Sequence, residues 1–216
     1  MGLRVALVED DAFMRLALSA ALKTRGLEVV FEASNATDAV QLAESHIIDV
    51  AVLDLHLGVG PTGIDVAQAL RRKDPSVGIV FLTSFDDPRL LSANLPPLPG
   101  GAHYLTKNSI TDIESLAKEI YEAAAGTSQA KGKSASTNPA STMGKFTDTQ
   151  IETLRLLAQG LSNGEIAKRR FVSEKSVESA ISRMAKTLGL APDSTRNQRV
   201  HMAKVYFRAL GMNPVD

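Results

Sequence analysis

The 216-residue sequence contains no cysteine, which excludes disulfides and thiolate metal sites and fits a reducing compartment. Tryptophan is absent too, and aromatic residues make up only 5% of an otherwise ordinary globular composition. No run approaches the roughly 18 uninterrupted apolar residues of a membrane span, so no membrane association is expected. The first residues carry one Arg and no long apolar segment, so neither is a signal peptide expected. A cytoplasmic location is the resulting expectation. The length suits one large domain or two small ones.

Net charge is also absent, but its distribution is uneven. Residues 1–125 hold 10 basic and 17 acidic side chains, whereas 146–216 hold 11 basic and 7 acidic ones. An acidic half joined to a basic half suggests partners of different charge. Between them, 126–145 reads "GTSQAKGKSASTNPASTMGK", with Met143 its one large apolar side chain. Such a segment buries too little surface to offset its ordering entropy and is expected to be a flexible linker.

Ahead of that linker, apolar runs alternate with helical patterns. Strands are expected at 3–8, 27–32, 48–53, 77–82 and 102–106. Their near-continuous hydrophobicity is what strands buried on both faces require. Amphipathic stretches lie at 12–25 (Phe13, Leu16, Ala20, Leu22), 35–45, 63–72 and 109–124. Alternating β and α predicts a doubly wound, five-stranded parallel sheet with helices on both sides. After the linker the pattern is all helical. Ile151, Leu154, Leu157 and Ala158 are spaced for one helix that stops at Gly160, and Ser162 with Glu165 reads as a capping box. A helix over Ser173–Leu188 would bury Val177, Ile181, Met184 and Leu188, and a fourth would cover Arg199–Leu210. Two short helices around the turn "RRFV" make a helix-turn-helix pattern.

In an open parallel sheet, ligands bind beyond the carboxyl ends of the strands. There the sequence gathers Glu9-Asp10-Asp11, Asp54, Thr83-Ser84 and Lys107. Taken singly, an Asp at a strand end is more often a cap, and a lone Lys is more often solvated. Converging carboxylates, however, need a cation, and Mg²⁺ suits hard oxygen ligands. Asp54 could act as a nucleophile toward phosphorus, with Lys107 and Thr83 on the phosphoryl oxygens. Asp11 is expected to cap the helix that follows, leaving Glu9 and Asp10 for the cation; a one-residue shift would make Asp10 and Asp11 the pair.

The ordered pieces "LVEDD", "VLDLHL", "FLTS" and "YLTK" resemble the motifs of bacterial response-regulator receiver domains, over residues 1–125. The resemblance implies a flavodoxin-like fold with Asp54 as phosphoacceptor for a cognate histidine kinase. It also implies Mg²⁺ held by Asp10, Asp54 and the backbone carbonyl of His56, with Glu9 nearby. Thr83 and Lys107 would be the phosphate-sensing pair and Tyr104 the switch aromatic. Two departures stand out. Gly58 occupies the place where the family usually has proline, and Pro96, Pro97 and Pro99 forbid a long fourth helix.

Residues 146–190 resemble the LuxR-type (NarL/FixJ-type) DNA-binding domain, a four-helix unit expected over 146–212. Its second helix-turn-helix helix would enter the major groove of double-stranded promoter DNA, presenting Lys175, Ser176, Glu178, Ser179, Ser182, Arg183 and Lys186. Glu178 stands where the family commonly has a basic residue, so an altered base preference is expected. Lys168, Arg169, Arg170, Arg183, Lys186, Arg196 and Arg199 are candidates for backbone phosphates.

The combined reading is a two-domain response regulator. It would be phosphorylated on Asp54 with Mg²⁺, would dimerise when active, and would not itself be an enzyme. The alternatives are a phosphorylation-independent DNA-binding regulator with an atypical receiver, and a Mg²⁺-dependent phosphohydrolase.

Overall fold

A computed structural model describes residues 2–92, 95–126, 141–190 and 197–212. The chain divides into two compact units. Met1–Ser84 with Leu95–Ser136 form the first, and Phe85–Asn94 with Thr137–Asp216 the second.

The first unit is a five-stranded parallel sheet in the order β2-β1-β3-β4-β5. Its strands are β1 (Arg4–Val8), β2 (Glu28–Ala33), β3 (Val50–Leu53), β4 (Gly78–Thr83) and β5 (His103–Thr106). Every residue of β3 and β4 is buried, as apolar runs between two helical layers must be. β5 lies at the sheet edge and is only half-buried. The order reverses between β1 and β3, so their carboxyl ends open the crevice where ligands bind in such sheets.

Among the described residues, four α-helices complete this unit: α1 (Ala12–Thr24), α2 (Ala36–Ala43), α3 (Gly63–Lys73) and α4 (Ile113–Ala124). Asp11 accepts from the Met14 N–H at 2.7 Å, so the last of the three consecutive acids caps α1. Asn35 and Asp112 cap α2 and α4 in the same way.

Two local expectations fail. Phe13 and Leu16 are 81% and 67% exposed rather than inward-facing. The buried face of α1 instead carries Leu22 and Ser19, whose hydroxyl donates to Glu32 at 2.6 Å. The helix expected from 109 starts at Ile113, because Lys107–Ser109 first makes a 3-10 turn.

The second unit is helical: α5 (Asp148–Ala158), α6 (Asn163–Arg170), α7 (Glu174–Thr187) and α8 (Gln198–Ala209). Met143, Leu154, Ile166, Val177, Met184 and Met202 are fully buried at its centre. Gly160 takes φ +85 just past α5, the left-handed stop that glycine permits. Phe171 adopts the same region (φ 53) between α6 and α7, a strained position for a bulky side chain. Ser162 and Ser173 cap α6 and α7. The box expected at Ser162 is half made: its side chain accepts from the Glu165 N–H, but the Glu165 carboxylate pairs with Lys168.

The domain limits differ from those expected. Residues 127–140 of the linker lie outside the described residues. Ser141–Lys145, assigned to that linker, belong to the second unit, where Met143 is fully buried. Phe85–Asn94, assigned to the first domain, also group with the second unit. The residues of that segment which carry the difference are Asp87 and Leu90, both buried there.

Candidate functional site

The crevice at the ends of β1 and β3 is built by strand register. Val8 pairs with Leu53, so Glu9 and Asp54 leave adjacent strands side by side, and the Asp54 N–H donates to Val8 O at 2.8 Å. Glu9 and Asp54 are buried and Asp10 is exposed, and a carboxylate oxygen from each lies within 4.8 Å of the others. Lys107 arrives from the end of β5. Its ammonium donates to Asp54 Oδ2 at 2.7 Å and to Glu9 Oε1 at 2.9 Å.

Burial raises the Glu9 pKa and the Asp54 charge adds to it, outweighing the Lys107 hydrogen bond that opposes it. Burial works against the Lys107 charge, but the hydrogen bonds it donates to Asp54 and Glu9 win and raise its pKa. Lys107 therefore stays an ammonium and serves as the counter-charge of the buried pair.

Thr83, fully buried, closes β4 on the strand next to β3. The His56 N–H donates to Asp54 Oδ1 at 3.3 Å, and His56 Nδ1 lies 3.9 Å from Asp10 Oδ2. Tyr104 pairs with Phe81 in register, their ring centroids 6.4 Å apart. The structure thus brings Glu9, Asp10, Asp54 and Lys107 into one cluster, with Thr83 and Tyr104 on the neighbouring strands.

Two residues of this site escaped the sequence reading. Arg15 Nη1 donates to Glu9 O at 2.6 Å and so ties the acidic loop to α1. Nothing local signals that bond. Gly63 opens α3 against the backbone of the phosphoacceptor candidate: a Cβ there would lie 2.0 Å from Asp54 O. A glycine directly at a helix start was the available signal. Beside it, Gly58 (φ +80) and Gly60 (φ +123) carry the exposed loop in which Val59 is fully exposed.

In the second unit, all seven residues predicted to face DNA are exposed on α7: Lys175, Ser176, Glu178, Ser179, Ser182, Arg183 and Lys186. The phosphate candidates divide. Arg169 is exposed, and Lys168 is exposed while paired with Glu165. Arg170 is bound to Thr153, and Arg199 holds Asn163 and Leu161 O, so both serve the fold. Arg196 lies outside the described residues.

Residues 5–120 match the family described as "Response regulator receiver domain", and 145–203 match "Bacterial regulatory proteins, luxR family". The chain belongs to the response regulators. Among its relatives is the DNA-binding transcriptional activator DevR/DosR of Mycobacterium tuberculosis, 32% identical across 87% of this chain and 88% of that one. Another is the nitrate/nitrite response regulator protein NarP of Escherichia coli, also 32% identical, across 87% and 89%. A solved structure of two RcsB dimers bound to two parallel DNAs shares the fold: 22% identity, 97% and 100% coverage, TM-score 0.58. This response regulator joins a receiver unit to a luxR-type helical unit. Among its described residues no helix is long and apolar enough to cross a membrane.

Proposed function

We propose that this response regulator accepts a phosphoryl group on Asp54 and controls transcription by binding promoter DNA through α7. One observation carries the reading: Lys107 holds Asp54 and Glu9 together, beside Asp10, at the reversal point of the sheet. A histidine kinase is the phosphoryl source. Asp54 Oδ attacks the phosphorus, and the new O–P bond forms as the N–P bond of the phosphohistidine breaks. The electron pair stays on the departing imidazole. The phosphoryl group ends on the protein itself, so the chain is a stoichiometric acceptor rather than an enzyme turning over a free substrate.

Three carboxylates within reach of one another, with no soft ligand, form a donor set that fits Mg²⁺. Asp10, Asp54 and the backbone carbonyl of His56 would hold it, with Glu9 nearby. When bound, it supplies positive charge to the phosphoryl oxygens. Lys107 exchanges its bond to Asp54 for one to a phosphoryl oxygen, and the Thr83 hydroxyl donates to another. Tyr104 follows Thr83 from the adjacent strand. The second unit then reads DNA as a dimer on two half-sites, with Lys175, Ser176, Glu178, Ser179, Ser182, Arg183 and Lys186 facing the groove. The setting is the cytoplasm.

Incubation with Mg²⁺ and acetyl phosphate should give acid-labile phosphate on the wild type and none on Asp54→Asn. Absence of label from both would sink the phosphoryl reading. A second reading, regulation independent of phosphorylation, is favoured by one feature. Between β4 and β5 the described residues form no α-helix, only the 3-10 turn Pro88–Leu90. It predicts equal DNA affinity for labelled and unlabelled protein.

A further inference from the structure

The stretch "FDDPRLL", residues 85–91, belongs to neither function assigned above. It follows β4 in the receiver sequence, yet its contacts are those of the helical unit. Asp87 is fully buried, and a buried carboxylate persists only when its lone pairs are matched. Arg89 matches them: Nε donates to Asp87 Oδ1 at 2.9 Å and Nη2 to Oδ2 at 2.8 Å. The Arg89 N–H adds a third bond, at 3.0 Å.

The rest of the guanidinium faces the helical unit. Nη1 donates to Phe146 O and to Asp148 Oδ1, both at 2.9 Å, and Nη2 to Met143 O at 3.1 Å. Every one of the five guanidinium N–H groups thereby has an acceptor, which a lysine could not reproduce. The Asp87 hydrogen bond, helped by that of Asp148, holds the Arg89 pKa above its ordinary value despite burial.

The segment is fastened on both sides of this hub. The Asp86 N–H donates to Ala209 O at 2.8 Å, and the Asp86 carboxylate accepts from Ser141 Oγ and the Thr142 N–H at 2.9 and 3.0 Å. Arg155 Nη2 donates to Arg89 O at 2.8 Å. Leu90, 3% exposed, joins the apolar cluster of Met143, Phe146 and Leu154, and Phe85 packs on the same cluster.

We propose that the helical unit carries a docking surface for residues 85–91 of its own chain, formed by Ser141–Phe146, the start of α5 and the end of α8. Thr83 closes β4, and Ser84 is the one residue between it and this docked segment. The connection after β4 is therefore a second, much shorter route between the phosphate-sensing hydroxyl and the DNA-binding unit than the linker. That last step rests on Asp54 being the phosphoacceptor; the docking itself does not.

Amide hydrogen exchange on the full chain tests both parts. In the wild type, 86–91 should be as protected as α5. Arg89→Ala should speed exchange at 86–91, at 142–147 and in the first turn of α5 by about tenfold or more, the loss expected when hydrogen bonds to a charged group go. β1 and β3 should not change. Arg89→Lys should fall between the two. If Arg89→Ala fails to fold, Ser141→Ala, which removes the bond to Asp86 and the one accepted from the Gly144 N–H, should show the same pattern more weakly. Unprotected 86–91 in the wild type, or uniform acceleration over both units, would overturn the docking. Adding Mg²⁺ and beryllium fluoride should alter exchange at 86–91 in the wild type but not in Asp54→Asn. No change in a protein that does label on Asp54 would overturn the coupling. Failure to label at all would instead remove the phosphoacceptor reading and leave the docking standing.

Discussion

Replacing Gly63 by alanine sets two effects against each other. Alanine is the better helix former, by up to about 1 kcal/mol in a helix interior and less at a first position such as this. Against that gain stands the geometry. The added Cβ would sit 2.0 Å from Asp54 O and 3.0 Å from Asp54 C, far inside any contact real Cβ atoms make. These are backbone atoms, held by the Gly63 N–H to Leu55 O bond at 3.0 Å and by the Asp54 N–H to Val8 O bond. No rotamer can relieve the overlap, so either α3 or the Asp54 strand end must move by about an ångström. Over-packing of this kind costs about 1–3 kcal/mol, which exceeds the propensity gain. Gly63→Ala should therefore destabilise the receiver unit by about 1–2 kcal/mol, or about 4–8 °C in its unfolding midpoint. Displacing the carboxylate by such an amount should also slow labelling by acetyl phosphate by about tenfold or more. The measurements are urea unfolding followed at β1 and β3 by amide exchange, and the labelling rate at fixed Mg²⁺. Gly164→Ala is the control, because its Cβ would meet only Glu174 carboxylate atoms at 3.7–3.9 Å; it should be neutral or slightly stabilising. A Gly63→Ala protein as stable as wild type and equally reactive would mean that the close approach of α3 to Asp54 O does not constrain the site.

Three further outcomes follow from other parts of the molecule. Hydrogen bonding to Arg4 lowers the Asp49 pKa, so this contribution to stability is complete above the unfolded carboxylate range and is lost as pH falls through the lower folded value. Wild type should accordingly lose more stability than Asp49→Asn when unfolding is compared between neutral and strongly acidic pH. Leu154→Ala empties a fully buried position of the helical core and should cost about 2–5 kcal/mol by denaturant titration of that unit, with β1 and β3 unaffected. Arg183→Ala, exposed on α7, should weaken DNA binding about equally across sequences and lower the salt slope by about one, whereas Glu178→Gln should change which sequences bind best; a binding selection at two salt concentrations separates them.

Much of this fold is legible in the chain because it is encoded locally. Short, β-branched apolar runs such as "VAVL" and "GIVFLT" read as strands covered on both faces, and both are fully buried. The role of Asp11 was readable from its place before a helix, and the exposed face of α7 from the spacing of Val177, Ile181 and Met184. The failures are also physical. Periodicity marked Phe13 and Leu16 as inward, but α1 buries the face that carries Ser19 and Leu22, and that stripe lies in solvent. Arg170 and Arg199 looked like surface cations until the tertiary structure committed them to Thr153, Asn163 and Leu161.

The elements, their caps and the order of the chemical groups along the chain are encoded locally, since each depends on neighbours within a turn or two. Which of those groups meet depends instead on contacts far apart in the chain. Lys107 reaches Glu9 across 98 residues and Asp54 across 53, and that meeting exists because β1, β3, β4 and β5 assemble in one register. Residues 85–91 are likewise acidic, basic and proline-containing in a way that reads as a loop. Only folding supplies the carbonyls of Met143 and Phe146 that complete the Arg89 guanidinium, and with them the unit to which the segment belongs.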